Sequence, residues 1–390
     1  MWGFKFNFIS RARILETPQW KDMIDAMDHS TDENLIVIWP PWCWKSTVAA
    51  HRLDYLKDKN IVYLTYNNLL AEYIKQSFED WDIVKDKIKT FFSFFHFNLD
   101  EIKFLEQNYI SKKTECLDLI ENKFKGLQKE LDVLIIDEWQ DVPLDMYKHT
   151  TKLAKHNSIF LDVAQSIYDH WIKTTEQFNQ LKNYLNWVEY QLTINRRNPR
   201  WLFEFALQLN PTWVSTSNLK LMKVVSWSVE VYQCVNEVIE FNEILEIFKQ
   251  AKNKNIGVLF HKRSEIDDFC RRLNENWYQN EYTKFHSSNN QNLSGFKNIL
   301  ITSFHSSKWL EFDIVIIPTI NIGYWNRFID DNLLFVAFTR AKEQLIITYV
   351  KWKSFIESKI RNFDKTSYDF YQRDSKNKIS KEFSLEDIPF

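Results

Sequence analysis

Glycine is nearly missing from this chain. Only 5 of 390 residues are glycine, against a usual share of about 7%. The deficit matters wherever a backbone must take positive φ or come close to a ligand. Cysteine is sparse too. Cys43, Cys116, Cys234 and Cys270 lie far apart with no paired spacing, which argues against disulfides and zinc and fits a reducing cytoplasm. Net charge is −2 and the pI is about 6.5. That excludes a global basic field, so any nucleic-acid contact has to sit in a local groove. No apolar run is long enough to span a membrane. The N-terminal residues lack the apolar core and cleavage site of a signal peptide. Tryptophan, by contrast, is abundant at 16 residues.

What is present is an alternation of short apolar runs with helix-forming stretches. Candidate strands are Leu35–Ile38, Ile61–Tyr66, Val133–Ile136, Ile159–Val163 and Val188–Thr193. After Asn195 the pattern restarts with Val229–Val235, Asn255–His261, Ile299–Phe304, Ile314–Ile320 and Leu345–Val350. This predicts an α/β fold with parallel sheets flanked by helices, in two domains spanning 1–194 and 195–362. Residues 97–129 read as a small helical insertion. From about Asp364 the chain turns polar, and 363–390 read as a flexible tail.

The stretch that organises the chain runs from Ile38 to Thr47, I-W-P-P-W-C-W-K-S-T. It follows a predicted strand and leads into a predicted helix. Strand, loop, Lys-Ser and helix are the layout of a phosphate-binding P-loop, which wants Gly, four residues, Gly, Lys and Ser or Thr. Lys45 and Ser46 are in place and Thr47 follows. Trp39 and Trp44 hold the glycine positions, with Pro40, Pro41, Trp42 and Cys43 between them. Further on, L-D-V-L-I-I-D-E ends a predicted buried strand on Asp137 and Glu138. A carboxylate there can hold Mg²⁺, and the next acid can orient and deprotonate an attacking water.

The tryptophans contradict this chemistry as written. A phosphate loop brings its backbone N–H groups onto phosphate oxygens, and an indole would occupy that space. Trp139, in D-E-W-Q-D, and Trp309, in H-S-S-K-W-L-E-F, likewise stand where related motifs carry glycine. The excess of tryptophan beside the deficit of glycine points the same way. The pattern predicts a gene in which UGA encodes glycine, rendered here as tryptophan, so that many of the tryptophans are glycines in the cell. The other reading is a degenerate loop that cannot bind ATP productively.

With glycine restored, D-E-G-Q-D and its companions resemble the UvrD/Rep-like superfamily 1 helicases. The motifs fall in that family's order from Gln19 to Lys342, most of the chain. The resemblance implies two RecA-like P-loop domains with ATP and Mg²⁺ between them. Lys45 would reach phosphate, Ser46 and Asp137 would hold the metal, and Glu138 would act on water. Gln19 would read adenine and Gln165 would sense the γ-phosphate. Arg197 and Arg340 would stabilise developing charge, while Trp309 and Glu311 belong to a segment that binds the ribose. Tyr66, Asn67, Thr90, Phe91, His96 and His305 would line the path of a single strand.

The activity implied is an ATP-dependent translocase or helicase moving 3′ to 5′ on single-stranded DNA in replication, repair or defence, in the cytoplasm. The space between Arg197 and Ser303 is too short for a large accessory domain, which suggests a stripped core. Asp387–Phe390, the D-I-P-F tip, resembles a segment that recruits a protein partner. Two alternatives stand beside this. If the tryptophans are real, the chain is an inactive nucleic-acid or partner-binding protein. The ATPase could also serve as a switch in a larger complex.

Overall fold

A computed structural model of the protein describes residues 10–17, 20–38, 45–66, 68–77, 82–109, 111–125, 131–142, 144–162, 179, 186–192, 198–211, 219, 222, 228–285, 297–308, 310–319, 331–352 and 354–374. These fall into two compact units. The first holds the described residues from Ser10 to Leu192 with Leu219 and Met222. The second holds Asn198–Pro211 and the described residues from Ser228 to Asp374.

The first unit contains β1 (Asn34–Ile38), β2 (Ile61–Thr65), β3 (Ile88–Thr90), β4 (Leu131–Asp137), β5 (Ala154–Leu161) and β6 (Trp187–Gln191). Among the described residues they form a six-stranded sheet in the order β3-β2-β4-β5-β1-β6. Every pairing is parallel. Strands of such a sheet are covered on both faces and so read as continuous apolar runs. Leu35, Ile36 and Val37 are all fully buried, as are Val133, Leu134 and Ile135. Helices Leu99–Asn108 and Lys113–Phe124 occupy the predicted insertion. Asn98 starts the first with a capping box closed by Glu101, which satisfies backbone donors at both ends of the box. Their buried residues Leu105, Cys116, Ile120 and Phe124 join the same core as β4, so the insertion has an apolar face.

The second unit contains β7 (Ser228–Cys234), β8 (Ile256–Phe260), β9 (Tyr282–Lys284), β10 (Ile299–Ser303), β11 (Phe312–Ile317), β12 (Ala341–Val350) and β13 (Asp369–Arg373). They form a seven-stranded sheet, β13-β7-β12-β11-β8-β10-β9, again parallel throughout. Helices Glu237–Gln250 and Arg263–Glu275 pack Ile244, Phe248, Ile266 and Phe269 into its core. Gly257 in β8 is a glycine of close packing, since a Cβ there would lie 2.6 Å from the Phe312 ring.

One expectation is corrected here. The chain after residue 363 is not a tail as far as Asp374. Asp364 caps a short 3₁₀ turn over Lys365–Ser367, and β13 then pairs with β7 from Asp369 to Arg373. Tyr371 stacks on Tyr232, with the Arg373 guanidinium over both rings. An edge strand keeps polar residues on its open side, so its composition resembles that of a tail. Residues 375–390, with the Asp387–Phe390 tip, lie outside the described residues.

Candidate active site

β1 ends at Ile38 and the helix Lys45–Tyr55 begins at Lys45. The intervening residues 39–44 lie outside the described ones. The Lys45 ammonium is ion-paired with Glu138 and lies 3.1 Å from Asp137 Oδ1. All three side chains are buried. Asp137 sits at the carboxyl end of β4, where the Ser46 hydroxyl hydrogen-bonds it. The Tyr63 hydroxyl donates to Asp137 Oδ2 at 2.9 Å and the Glu138 N–H donates to its Oδ1 at 2.9 Å. The sheet thus brings together residues 92 positions apart in sequence, because β4 and β1 both flank β5.

The charge balance of this cluster is uneven. Burial pushes the Asp137 carboxyl up, and Lys45 pulls it only partly back. Burial disfavours the charged form of Lys45, but Asp137, Glu138 and Asp162 outweigh it and hold the ammonium protonated. Among the described residues, the Lys45 ammonium thus faces the carboxylates of Asp137 and Glu138. Glu138 also has φ 60°, a left-handed conformation costing a non-glycine residue about 1–2 kcal/mol. Such local strain concentrates at functional sites.

Gln140 was not singled out from sequence, yet it organises this corner. Its amide N–H donates to Glu138 Oε2, and its Oε1 accepts the Asp162 N–H at 2.9 Å. The acid that follows β4 is thereby tied to the backbone that leaves β5. The only sequence signal was its position in D-E-W-Q-D. Arg52 was missed as well. Fully buried, it donates to the carbonyls of Met27 and His29 at 3.0 and 2.9 Å and to Ser158 Oγ at 2.7 Å. This links the helix Trp20–Asp28 to the helix that carries Lys45. Arg52 lies 2.9 Å from His156 Nε2. A guanidinium can only donate, so that nitrogen is an acceptor and the imidazole is neutral. Burial and Arg52 push its pKa down to about 3.

Of the residues expected along a strand path, Tyr66 is half-buried with its ring edge-on to Phe92 at 5.3 Å. Thr90 caps the helix Phe91–Phe94 by accepting the Ser93 N–H at 3.2 Å. His96 is exposed, with φ 58°. Thr65 ends β2 in register with Thr90 of β3 on one side and Asp137 of β4 on the other, and Tyr66 follows it directly. Phe91 is a correction. It has no exposed surface and packs against Phe92 and Phe95 in the core, so its ring is a packing element.

In the second unit, Arg340 is buried. Its Nε donates to the Val336 carbonyl at 2.8 Å and its Nη1 to the Lys308 carbonyl. Ser303 caps the helix Phe304–Ser307 that carries the half-buried His305. Arg340 is thus fastened to the segment containing His305 and Lys308. Glu311 is half-buried just before β11. Gln19, Trp39, Pro40, Pro41, Trp42, Cys43, Trp44, Asn67, Gln165, Arg197 and Trp309 lie outside the described residues. Among the described residues, no group of three or more His, Cys, Asp or Glu is arranged to hold a metal by itself, and no helix is long and apolar enough to cross a membrane.

A family model described as the UvrD-like helicase C-terminal domain matches residues 48–352. The chain belongs to this family. The match to the UvrD-like helicases starts just after Lys45–Thr47 and takes in β2 to β12, including Asp137, Glu138 and Arg340. Comparison with curated proteins finds no match. Among solved structures, the chain is similar to the C-terminal domain of a possible DNA helicase from Lactobacillus plantarum WCFS1. The identity is 13%, over 46% of this chain and 99% of that one, with a TM-score of 0.34.

Proposed function

We propose that this UvrD-like protein is an ATP-dependent translocase or helicase that moves 3′ to 5′ along single-stranded DNA. The observation that carries the reading is the cluster of buried Lys45, Asp137 and Glu138 with half-buried Ser46 at the carboxyl edge of a parallel sheet. Hydroxyl and carboxylate oxygens at one point are the donors a magnesium ion prefers, completed by substrate phosphate and water. Ser46 and Asp137 would hold that ion, and when bound it offsets phosphate charge. Lys45, already desolvated and charged, would exchange its carboxylate partners for phosphate oxygens. Glu138, oriented by Gln140, would take the proton from the attacking water. The roles of Gln19, Gln165, Arg197, Arg340, Trp309 and Glu311, and of the strand-facing Tyr66, Asn67, Thr90, His96 and His305, belong to this proposal as the resemblance implies them.

The test is single-strand-stimulated ATP hydrolysis by a chain carrying glycine at 39, 42, 44, 139 and 309. Hydrolysis that rises with added single strand, and is lost on Lys45→Ala, is expected. No hydrolysis in the glycine-bearing chain, with strand binding intact, would support the inactive binding protein instead.

A further inference from the structure

Among the described residues, five non-glycine residues have positive φ: His96, Glu138, Asn210, Trp277 and Trp352. Histidine and asparagine are several-fold enriched in that region, whereas for a bulky residue it is an outlier. Glu138 belongs to the acidic cluster. The two tryptophans have neither explanation. Both have φ 67°, and they are 86% and 70% exposed, so packing of the indole does not hold them there.

The hydrogen bonds at 277 describe a specific device. The helix Arg263–Glu275 ends at Asn276. The N–H of residue 277 then donates to the Asn274 carbonyl at 3.2 Å, and the Tyr278 N–H donates to the Leu273 carbonyl at 3.0 Å. This pair of bonds is the Schellman motif, whose left-handed position is filled mostly by glycine because it has no Cβ penalty. Residue 352 makes the tight turn between β12 and the helix Phe355–Ile360, with its N–H donating to Glu357 Oε2 at 2.9 Å. Trp139, which is buried, and Trp187, which is half-buried, are ill-suited in another way. The indole N–H groups of Trp139 and Trp187 have no hydrogen-bond partner among the described residues, although a buried indole N–H usually finds one.

We propose that residues 277 and 352 are glycines in the protein as its own cells make it, their codons being read there as glycine and rendered here as tryptophan. Neither position lies in a nucleotide or strand motif, so this inference does not depend on the ATPase reading. At 352 two contacts favour the indole. Lys351 and Arg361 each place a cation 5.3 Å from the ring centre, so the gain on returning to glycine is smaller there than at 277.

The test has two arms. In protein isolated from its own cells, mass spectrometry of the tryptic peptide Leu273–Lys284 and the Glu-C peptide Gln344–Glu357 reads both residues directly. Glycine at both is expected, and tryptophan at either overturns the proposal. In the recombinant chain, Trp277→Gly is expected to raise the thermal midpoint of its unit by roughly 2–6 °C, given the left-handed penalty and the entropy of a unit this size. Trp277→Ala removes the indole but keeps a Cβ, so it should leave most of that gain unrealised. Equal midpoints for the glycine and alanine variants would overturn the backbone argument.

Discussion

The two units share a parallel sheet but treat buried charge at its carboxyl edge in opposite ways. In the first, a lysine faces two carboxylates and forms an ion cluster with them. In the second, a lone buried carboxylate, Glu240, accepts the Thr319 N–H at 2.7 Å, its hydroxyl at 2.8 Å and the Thr348 hydroxyl at 2.7 Å, all on Oε1. No ammonium or guanidinium forms an ion pair with Glu240 among the described residues, and burial pushes its pKa up. One edge is thus an ion cluster suited to charged substrate. The other is a hydroxyl-lined brace that requires an acceptor and not a charge. Architecture alone does not make a catalytic edge; the residues at the strand ends do.

The largest effect should come from removing the first unit's cation. Lys45→Met leaves two buried carboxylates without their partner, which typically costs about 3–5 kcal/mol. Urea unfolding should show that loss, and strand-stimulated hydrolysis should be abolished in the glycine-bearing chain. Glu138→Gln keeps the shape and removes the base. Turnover is expected to fall about 10²–10⁴-fold, with nucleotide binding measured by titration little changed.

In the second unit, Glu240→Ala strands the Thr319 and Thr348 donors and should cost about 1–3 kcal/mol. Glu240→Gln retains an oxygen in the Oε1 position and should cost less than about 1 kcal/mol. Denaturation of both variants sharpens the contrast: if glutamine is as damaging as alanine, the brace depends on charge and the two edges are alike.

Acid tests a property on which the units should agree. His156 in the first unit is pushed down to about 3 by burial and Arg52, and His261 in the second to about 4 by burial, His305 and Lys262. Both folded values lie below the unfolded value of about 6.5. Below that pH the unfolded chain binds more protons, so stability is fully present above about pH 6.5 and is lost as pH falls toward the folded values. The slope is at most about 1.4 kcal/mol per pH unit for each histidine. Thermal midpoints measured from pH 7 to 5 should fall, and His156→Gln and His261→Gln should each flatten the curve.

The sequence by itself determined the fold class and the heart of the site. Strands flanked on both sides in a parallel sheet are largely apolar, so β1, β2, β4, β5, β7, β8, β10, β11 and β12 were legible as runs, and so was β6. Lys45, Ser46, Asp137 and Glu138 were legible because each sits at a strand-to-helix or strand-to-turn junction whose chemistry is local. The edge strands β3, β9 and β13 were not, since β3 and β9 span only three residues each and β13 (Asp369–Arg373) is mostly polar. Tertiary structure alone decided that Phe91 is core, that Gln140 joins Glu138 to the end of β5, and that Arg52 binds the carbonyls of a helix about 25 residues earlier. These depend on which surfaces meet after folding. It also decided which tryptophans stand in a glycine's conformation. A residue's φ is set by the hydrogen bonds that end a helix or turn a strand, and those partners are fixed only when the chain is folded.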